Sequence, residues 1–155
     1  SESVTFIAYK NGTPLGYLKL NIGNAQTEKC LDNALEIQRI YILKSAKGQG
    51  IGSAFMQIAE NFASEKKLST IWLGVWEHNE PAKKFYKSKG YEKFSHHTFV
   101  IGDDMQTDFL LKKKFYDLGQ NKRTAFKDCP KNVIWFKSKL CDDFAVNRTA
   151  KTCGI

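Results

Sequence analysis

Lys47-Gly48-Gln49-Gly50-Ile51-Gly52 is the stretch on which the reading of this chain turns. It stands between a strand-like run, Ala34 to Leu43, and a run in which Ile51, Phe55, Ile58, Ala59 and Phe62 recur at helical spacing. Glycines at such a junction let the backbone approach a ligand closely and aim free N–H groups at it. A phosphate-bearing guest suits the site, because the helix start adds partial positive charge and Lys44 and Lys47 add full ones. The alternative is a glycine-rich connection made only for tight packing. The turn lacks the Gly-Lys-Ser/Thr ending of a P-loop and the G-x-G-x-x-G spacing of a dinucleotide-binding turn.

Working outward, Val4 to Tyr9 and Leu15 to Ile22 flank the tight-turn signal Asn11-Gly12 and predict an antiparallel hairpin. Gly23 to Asn33 reads as a polar loop. Strict alternation over the next strand predicts Leu35, Ile37, Arg39 and Tyr41 on one face and Glu36, Gln38, Ile40 and Ile42 on the other. The helix after the glycine turn should end near Lys67, and Thr70 to Trp76 has strand length. Pro81 suits the first position of a second helix that stops at Gly90. Tyr91 to Phe94, Thr98 to Ile101 and Gln106 to Leu111 read as closing strands, the last two joined by a turn at Gly102-Asp103-Asp104. The order β-β-β-α-β-α-β-β implies an α+β (α/β three-layer) domain, a mixed sheet with helices on its faces, over residues 1–114. Residues 115–155 hold no periodicity and only one strong apolar cluster, Val133-Ile134-Trp135-Phe136, so they read as a basic tail with room for one strand or helix.

A length of 155 residues suits one core with appendages. No apolar run is long enough to span a bilayer, and no signal peptide opens the chain, which points to a cytoplasmic protein. Ser1 rather than Met stands first, as in a processed product, a trimmed chain or a fragment. Net charge is +8, and ten Lys and Arg against four Asp from Lys113 onward put most of it in the tail. That raises nucleic acid as a partner, but no strong interleaving of aromatic and basic residues supports it. Cys30, Cys129, Cys141 and Cys153 lack the close pairing of a zinc site, so reduced thiols and no metal are expected.

The glycine turn resembles the [QR]-x-x-G-x-[GA] motif of GNAT N-acetyltransferases, with Lys47 where Gln or Arg is usual and Gly50 and Gly52 in place. Asn79-Glu80-Pro81-Ala82-Lys83-Lys84-Phe85-Tyr86-Lys87-Ser88-Lys89-Gly90-Tyr91 resembles the second motif of that family, N-x-x-A-x-x-F-Y-x-x-x-G-[FY]. Within the family, Leu35 to Ile42, Ile71 to Glu77 and Gly102 to Asp108 look like segments of bacterial PaiA-type polyamine acetyltransferases. The resemblance implies acetyl-CoA as co-substrate and a small amine, such as spermidine, as acceptor. It implies a V-shaped opening between the strand ending near Leu43 and the strand Thr70 to Trp76. Pantetheine would lie along Ile40, Tyr41 and Ile42, and Lys47, Gly48, Gln49, Gly50, Ile51, Gly52 and Ser53 would hold the pyrophosphate. Asn79 matches a residue that contacts the pantetheine arm, Tyr86 the tyrosine that returns a proton to the thiolate, and Glu36 the carboxylate base of several members.

Each role has a plainer counterpart. Glu36 reads equally as a solvated strand carboxylate, and Tyr86 as a ring packed beside Phe85. His78, His96 and His97 flank turns and read as exposed; Trp72 and Trp76 share a strand face and read as core or cleft wall. Asp103, Asp104 and Asp108 would favour a cationic acceptor, although a turn alone explains the first two. The resemblance also implies a strand and two helices before the hairpin that this sequence does not contain, which keeps open a CoA-binding domain without transfer activity. The tail leaves three readings open: it substitutes for missing packing, it contacts a second copy, as in a homodimer, or it is non-native or disordered sequence.

Overall fold

The computed structural model describes residues 2–101, 104–114 and 134–138. The hairpin forms as expected: Asn11 and Gly12 take positive φ of 50° and 79°, which matches the right-handed twist of the strands they join. β1 (Ser3–Lys10) and β2 (Thr13–Ile22) lead to β3 (Ala34–Ile42), α1 (Ile51–Glu65), β4 (Thr70–Trp76), α2 (Glu80–Ser88), β5 (Glu92–Ile101), β6 (Asp104–Lys114) and β7 (Ile134–Ser138). They form one sheet in the order β5-β6-β4-β3-β2-β1-β7, antiparallel except for β3 beside β4.

Several boundaries differ from expectation. Helix α2 begins at Glu80, so Pro81 is its second residue. The two short strands expected between Tyr91 and Ile101 are one strand, β5, irregular between Lys93 and Ser95. Polar Ser95, His96 and His97 suggested a break, but an edge strand needs no apolar side chain on its outer face, so polarity there marks exposure rather than an end. The expected turn at Gly102 and Asp103 lies outside the described residues. In the tail, the apolar cluster carries β7, which pairs antiparallel with β1 from Thr5↔Ser138 to Tyr9↔Ile134. The rest of the tail lies outside the described residues.

The core lies on one face of the sheet. Phe55, Met56, Ile58, Ala59, Phe62 and Ala63 of α1 bury against Leu18, Leu20, Leu35, Ile37, Ile71 and Leu73, and Ala82, Phe85 and Tyr86 of α2 pack on the same cluster. Both helices therefore cover one face. On the other, Ala34, Trp72 and Leu110 form a small cluster with Cys30, Leu31 and Phe94, and the segment 23–33 lies over them.

Gly16 fixes how closely β2 approaches β3. A Cβ there would collide with the Tyr41 carbonyl oxygen and stand 3.1 Å from the Ile42 Cα, and neither backbone atom can swing aside. Gly16→Ala should therefore lower stability to urea by about 1–3 kcal/mol, the usual cost of overpacking; an unchanged unfolding midpoint would show that β3 can move at no cost.

Candidate active site

The two parallel strands part company early. Ala34, Leu35 and Glu36 pair with Thr70, Ile71 and Trp72, and beyond that point neither Ile37 to Ile42 nor Leu73 to Trp76 has a ladder partner across the gap. Gln38 is the cause. It is an extra residue in β3, since Arg39 faces Lys19 while Ile37 faces Leu20. A bulge bends its strand and increases the local twist, which swings the end of β3 away from β4. It also overturns the strict alternation expected from the sequence: Leu35, Ile37, Ile40 and Ile42 all pack on the α1 side. Arg39 and Tyr41 turn to the opposite face with Glu36, and Tyr41 stacks on Tyr17 with ring centroids 5.9 Å apart.

The register decides which backbone groups the opening receives. Leu43 N–H donates to the Leu15 carbonyl at 2.9 Å, so Leu43, Tyr41 and Arg39 spend their peptide groups on β2. Ile40 and Ile42, at the alternate positions, direct theirs into the gap. The structure thus brings the main chains of Ile40 and Ile42 to the opening and assigns that of Tyr41 to the sheet.

At the end of β3 a short turn, Lys44–Ala46, leads into the glycine segment. Gly48 and Gly50 have φ of 75° and 81°, a region that side chains disfavour. The first intrahelical bond of α1 runs from Ala54 N–H to the Gly50 carbonyl at 3.0 Å, and no side chain caps the helix. The amides of Ile51, Gly52 and Ser53 are left without a helical carbonyl. Gln49 braces the turn by donating from Nε2 to the Ser45 carbonyl at 3.0 Å, and exposed Lys44 and Lys47 flank it. Gly52 has a second duty: a Cβ there would lie 3.4 Å from the Phe85 ring and 3.5 Å from Ile42 Cδ1. The start of α1 is thereby wedged between β3 and α2 at the mouth of the gap.

Helix α2 carries the second pair of expected residues. Asn79 caps it, its Oδ1 accepting from the Ala82 N–H at 3.2 Å. Its carbonyl is occupied in this way, which leaves the side-chain amide N–H groups as donors. Tyr86 is half-buried between Phe85 and Tyr91, and among the described residues its hydroxyl has no hydrogen bond. Burial raises its pKa, so the phenol stays protonated at neutral pH.

Glu36 sits at the apex of the fork, 3% exposed. Its Oε2 accepts from Asn21 Nδ2 at 3.0 Å and from the Thr27 N–H at 2.9 Å, and its Oε1 accepts from the Thr27 hydroxyl. The plain reading as a solvated strand carboxylate is therefore overturned. The same segment donates nothing to chance elsewhere: Gln26 Oε1 accepts from the buried Trp72 Nε1 at 2.7 Å, and Glu28 contacts His97. These residues of the 23–33 segment were illegible in the sequence, since their partners lie 9 to 69 positions away. His78, His96 and His97 are exposed, and Trp76 is exposed beside buried Trp72 on the same face. Cys30 is a free thiol whose pKa burial and Glu28 push up to about 11; the other three cysteines lie outside the described residues. Among the described residues no group of three or more His, Cys, Asp or Glu is placed to hold a metal ion, and no helix is long and apolar enough to cross a membrane.

A model of the Acetyltransferase (GNAT) family matches residues 1–91. The chain belongs to the GNAT family. A Lactobacillus delbrueckii subsp. lactis protein, an uncharacterized N-acetyltransferase in the pepI 3′ region, is 53% identical over 103 residues, covering 66% of this chain and 60% of that one. An uncharacterized N-acetyltransferase of Mycobacterium tuberculosis is 26% identical over 107 residues, covering 69% and 64%. This GNAT chain thus spans somewhat less than two thirds of the length of these curated relatives. Among solved structures, nourseothricin acetyltransferase superposes with a TM-score of 0.64 at 24% identity, covering 74% of this chain and 66% of that one. The PaiA N-acetyltransferase of Thermoplasma acidophilum, solved with coenzyme A, gives 0.56 at 23% identity, covering 73% and 62%. These structural likenesses establish the GNAT fold.

Proposed function

We propose that this GNAT chain transfers the acetyl group of acetyl-CoA to the primary amine of a small acceptor. One observation carries the reading: the free edge of β3 at Ile40 and Ile42 and the amides of Ile51, Gly52 and Ser53, which lack a helical carbonyl, meet at one opening, with Ile42 Cδ1 3.5 Å from the place a Cβ on Gly52 would take. A strand edge offers alternating donors and acceptors to a linear amide chain such as pantetheine. A glycine-lined helix start with flanking lysines offers donors and positive charge to a pyrophosphate. Lys47 supplies charge without the bidentate fork of an arginine, which suffices where backbone N–H groups make the contacts.

Transfer from a thioester to an amine needs a neutral amine and a proton for the leaving thiolate. Alkyl ammonium groups, with pKa near about 10, are mostly charged at neutral pH, so a carboxylate acting directly or through water helps. Glu36 has that role in this reading: three donors fix its orientation and leave one acceptor direction of its Oε1 open. Tyr86 gives the thiolate its proton. Asn79 binds the pantetheine arm through its remaining amide hydrogens.

The narrower form of the proposal is a polyamine acceptor such as spermidine. Asp108 supports it, because its Oδ2 lies 3.7 Å from the place a Cβ on Gly74 would take, on the same strand face as Trp76. Burial raises the Asp108 pKa, His97 opposes that and Glu28, which contacts His97, adds to it, so both side chains stand near Asp108. A second ammonium of the acceptor would find two carboxylates there.

Incubating the chain with acetyl-CoA and a panel of amines, with products read by mass spectrometry, should give an acetylated amine and free CoA, spermidine ranking above monoamines. CoA binding by calorimetry without any acetylated product would instead favour a CoA-binding domain that does not catalyse transfer.

A further inference from the structure

Gly74 has no reason within the fold to be glycine. It lies inside β4, where a glycine weakens the strand by giving the unfolded chain extra freedom and by packing nothing. Its φ is not positive, so the backbone there suits a residue with a side chain. Packing does not require it either. Among the described residues, a Cβ at this position would meet only Asp108 Oδ2 at 3.7 Å and Leu110 Cδ2 at 3.9 Å, which are ordinary contact distances. Gly16 is the contrast, since there the neighbouring strand forbids any side chain.

The missing side chain leaves a notch in the sheet face that neither helix covers. Trp72, Gly74 and Trp76 alternate onto that face. Trp72 is buried and bonded to Gln26, Trp76 is 46% exposed, and Gly74 between them is exposed although its chain neighbours Leu73 and Val75 are buried. Asp108 faces Trp76 across the β4–β6 ladder, and His97 of β5, which contacts Glu28, faces Asp108 in turn. One wall of the notch is therefore aromatic and another bears a carboxylate. Glu36 stands on the same face, paired with Trp72 two residues back along β4, a rise of roughly 7 Å. Beyond Trp72, β4 has no ladder partner on the β3 side, so the notch lies at the edge of the gap where the two strands part.

We propose that Gly74 is a specificity-determining residue for the acceptor: the notch it leaves admits the alkyl chain of the amine, with the Trp76 ring against the methylenes. The inference rests on the amine-acceptor reading above and on Asp108 as the anchor of the second ammonium. With glycine at this position the chain lies against the backbone of β4, so its far ammonium reaches Asp108 while the reacting amine stays on the Glu36 side. Any side chain at 74 takes up the space the methylenes need. A methyl group there is harmless to the fold and adverse to the ligand, which separates two effects that most substitutions in a site mix.

Gly74→Ala in the whole chain should raise KM for spermidine about tenfold, within the range that forcing a methyl group into occupied space costs, with kcat and KM for acetyl-CoA changed no more than about twofold. Its thermal unfolding midpoint should not fall, because the new Cβ meets no close contact and alanine reduces the freedom of the unfolded chain. Equal KM for spermidine in the two proteins overturns the proposal, and so does an equal rise in KM for acetyl-CoA, which would mark a general distortion. Should the wild type release no acetylated amine, calorimetric titration of the CoA-bound chain with spermidine decides the same point. Binding by the wild type that weakens about tenfold in Gly74→Ala supports the notch while the acetyl-transfer reading alone falls; equal binding, or none by the wild type, overturns it.

Discussion

Gly50→Asp is expected to weaken CoA binding by at least about 100-fold, close to 3 kcal/mol, while leaving the chain folded. Gly50 occupies the left-handed region at φ 81° immediately before α1, and Asp is among the few side chains that tolerate it. The variant therefore tests the ligand site more than the backbone. Its carboxylate would sit beside the amides of Ile51, Gly52 and Ser53, compete for them, and repel a pyrophosphate. Hydrogen bonds to charged groups are worth about 1.5–3 kcal/mol each, so losing two of them accounts for the expected loss before repulsion is added. Gly50→Asn, with the same shape and no charge, should lose far less. Isothermal calorimetry on the three proteins distinguishes the cases; equal affinity in wild type and Gly50→Asp would remove the glycine turn from the binding site.

Tyr86→Phe is expected to lower kcat by about 100-fold, the lower end of what a general acid contributes, with CoA affinity changed no more than about twofold. The ring packs between Phe85 and Tyr91, and phenylalanine keeps that packing. The sign of the pH effect follows from burial. The folded-state pKa of the phenol is raised, so the acid form persists through neutral pH and past its ordinary value near about 10, and activity that needs it is lost only as pH rises through the raised value. Wild-type kcat should then fall on the alkaline side, and the residual activity of Tyr86→Phe should lack that limb. A variant with an unchanged rate would show that solvent protonates the thiolate and that Tyr86 serves as packing.

Much of this architecture was legible in the chain because it is encoded locally. Asn11-Gly12 names its turn through positive φ at two adjacent residues, the stripe from Ile51 to Phe62 names the first helix, and Pro81 and Gly90 bracket the second to within a residue or two. The motif resemblance carried the cleft and the family, since it reads spacing that a single strand or helix does not explain.

Other features had no local signature. Nothing about Gln38 marks it as the extra residue of a bulge; it becomes one only when β2 imposes its register, and the faces of Ile40, Tyr41 and Ile42 follow from that pairing. Gly16 looks like any glycine in a strand until the Tyr41 carbonyl is placed against it. The donors of Glu36 come from Asn21 and Thr27, and the partner of Trp72 from Gln26, across gaps that periodicity does not reach. The sequence alone determined the hairpin, β3, β4 and both helices, and what kind of ligand a glycine-rich helix start invites, because propensity, turn chemistry and helix-end polarity act within a few residues. Only the tertiary structure decided where β3 and β4 separate, which amides face the gap and how Glu36 is held, because each depends on the register between strands and on contacts between segments far apart in the chain.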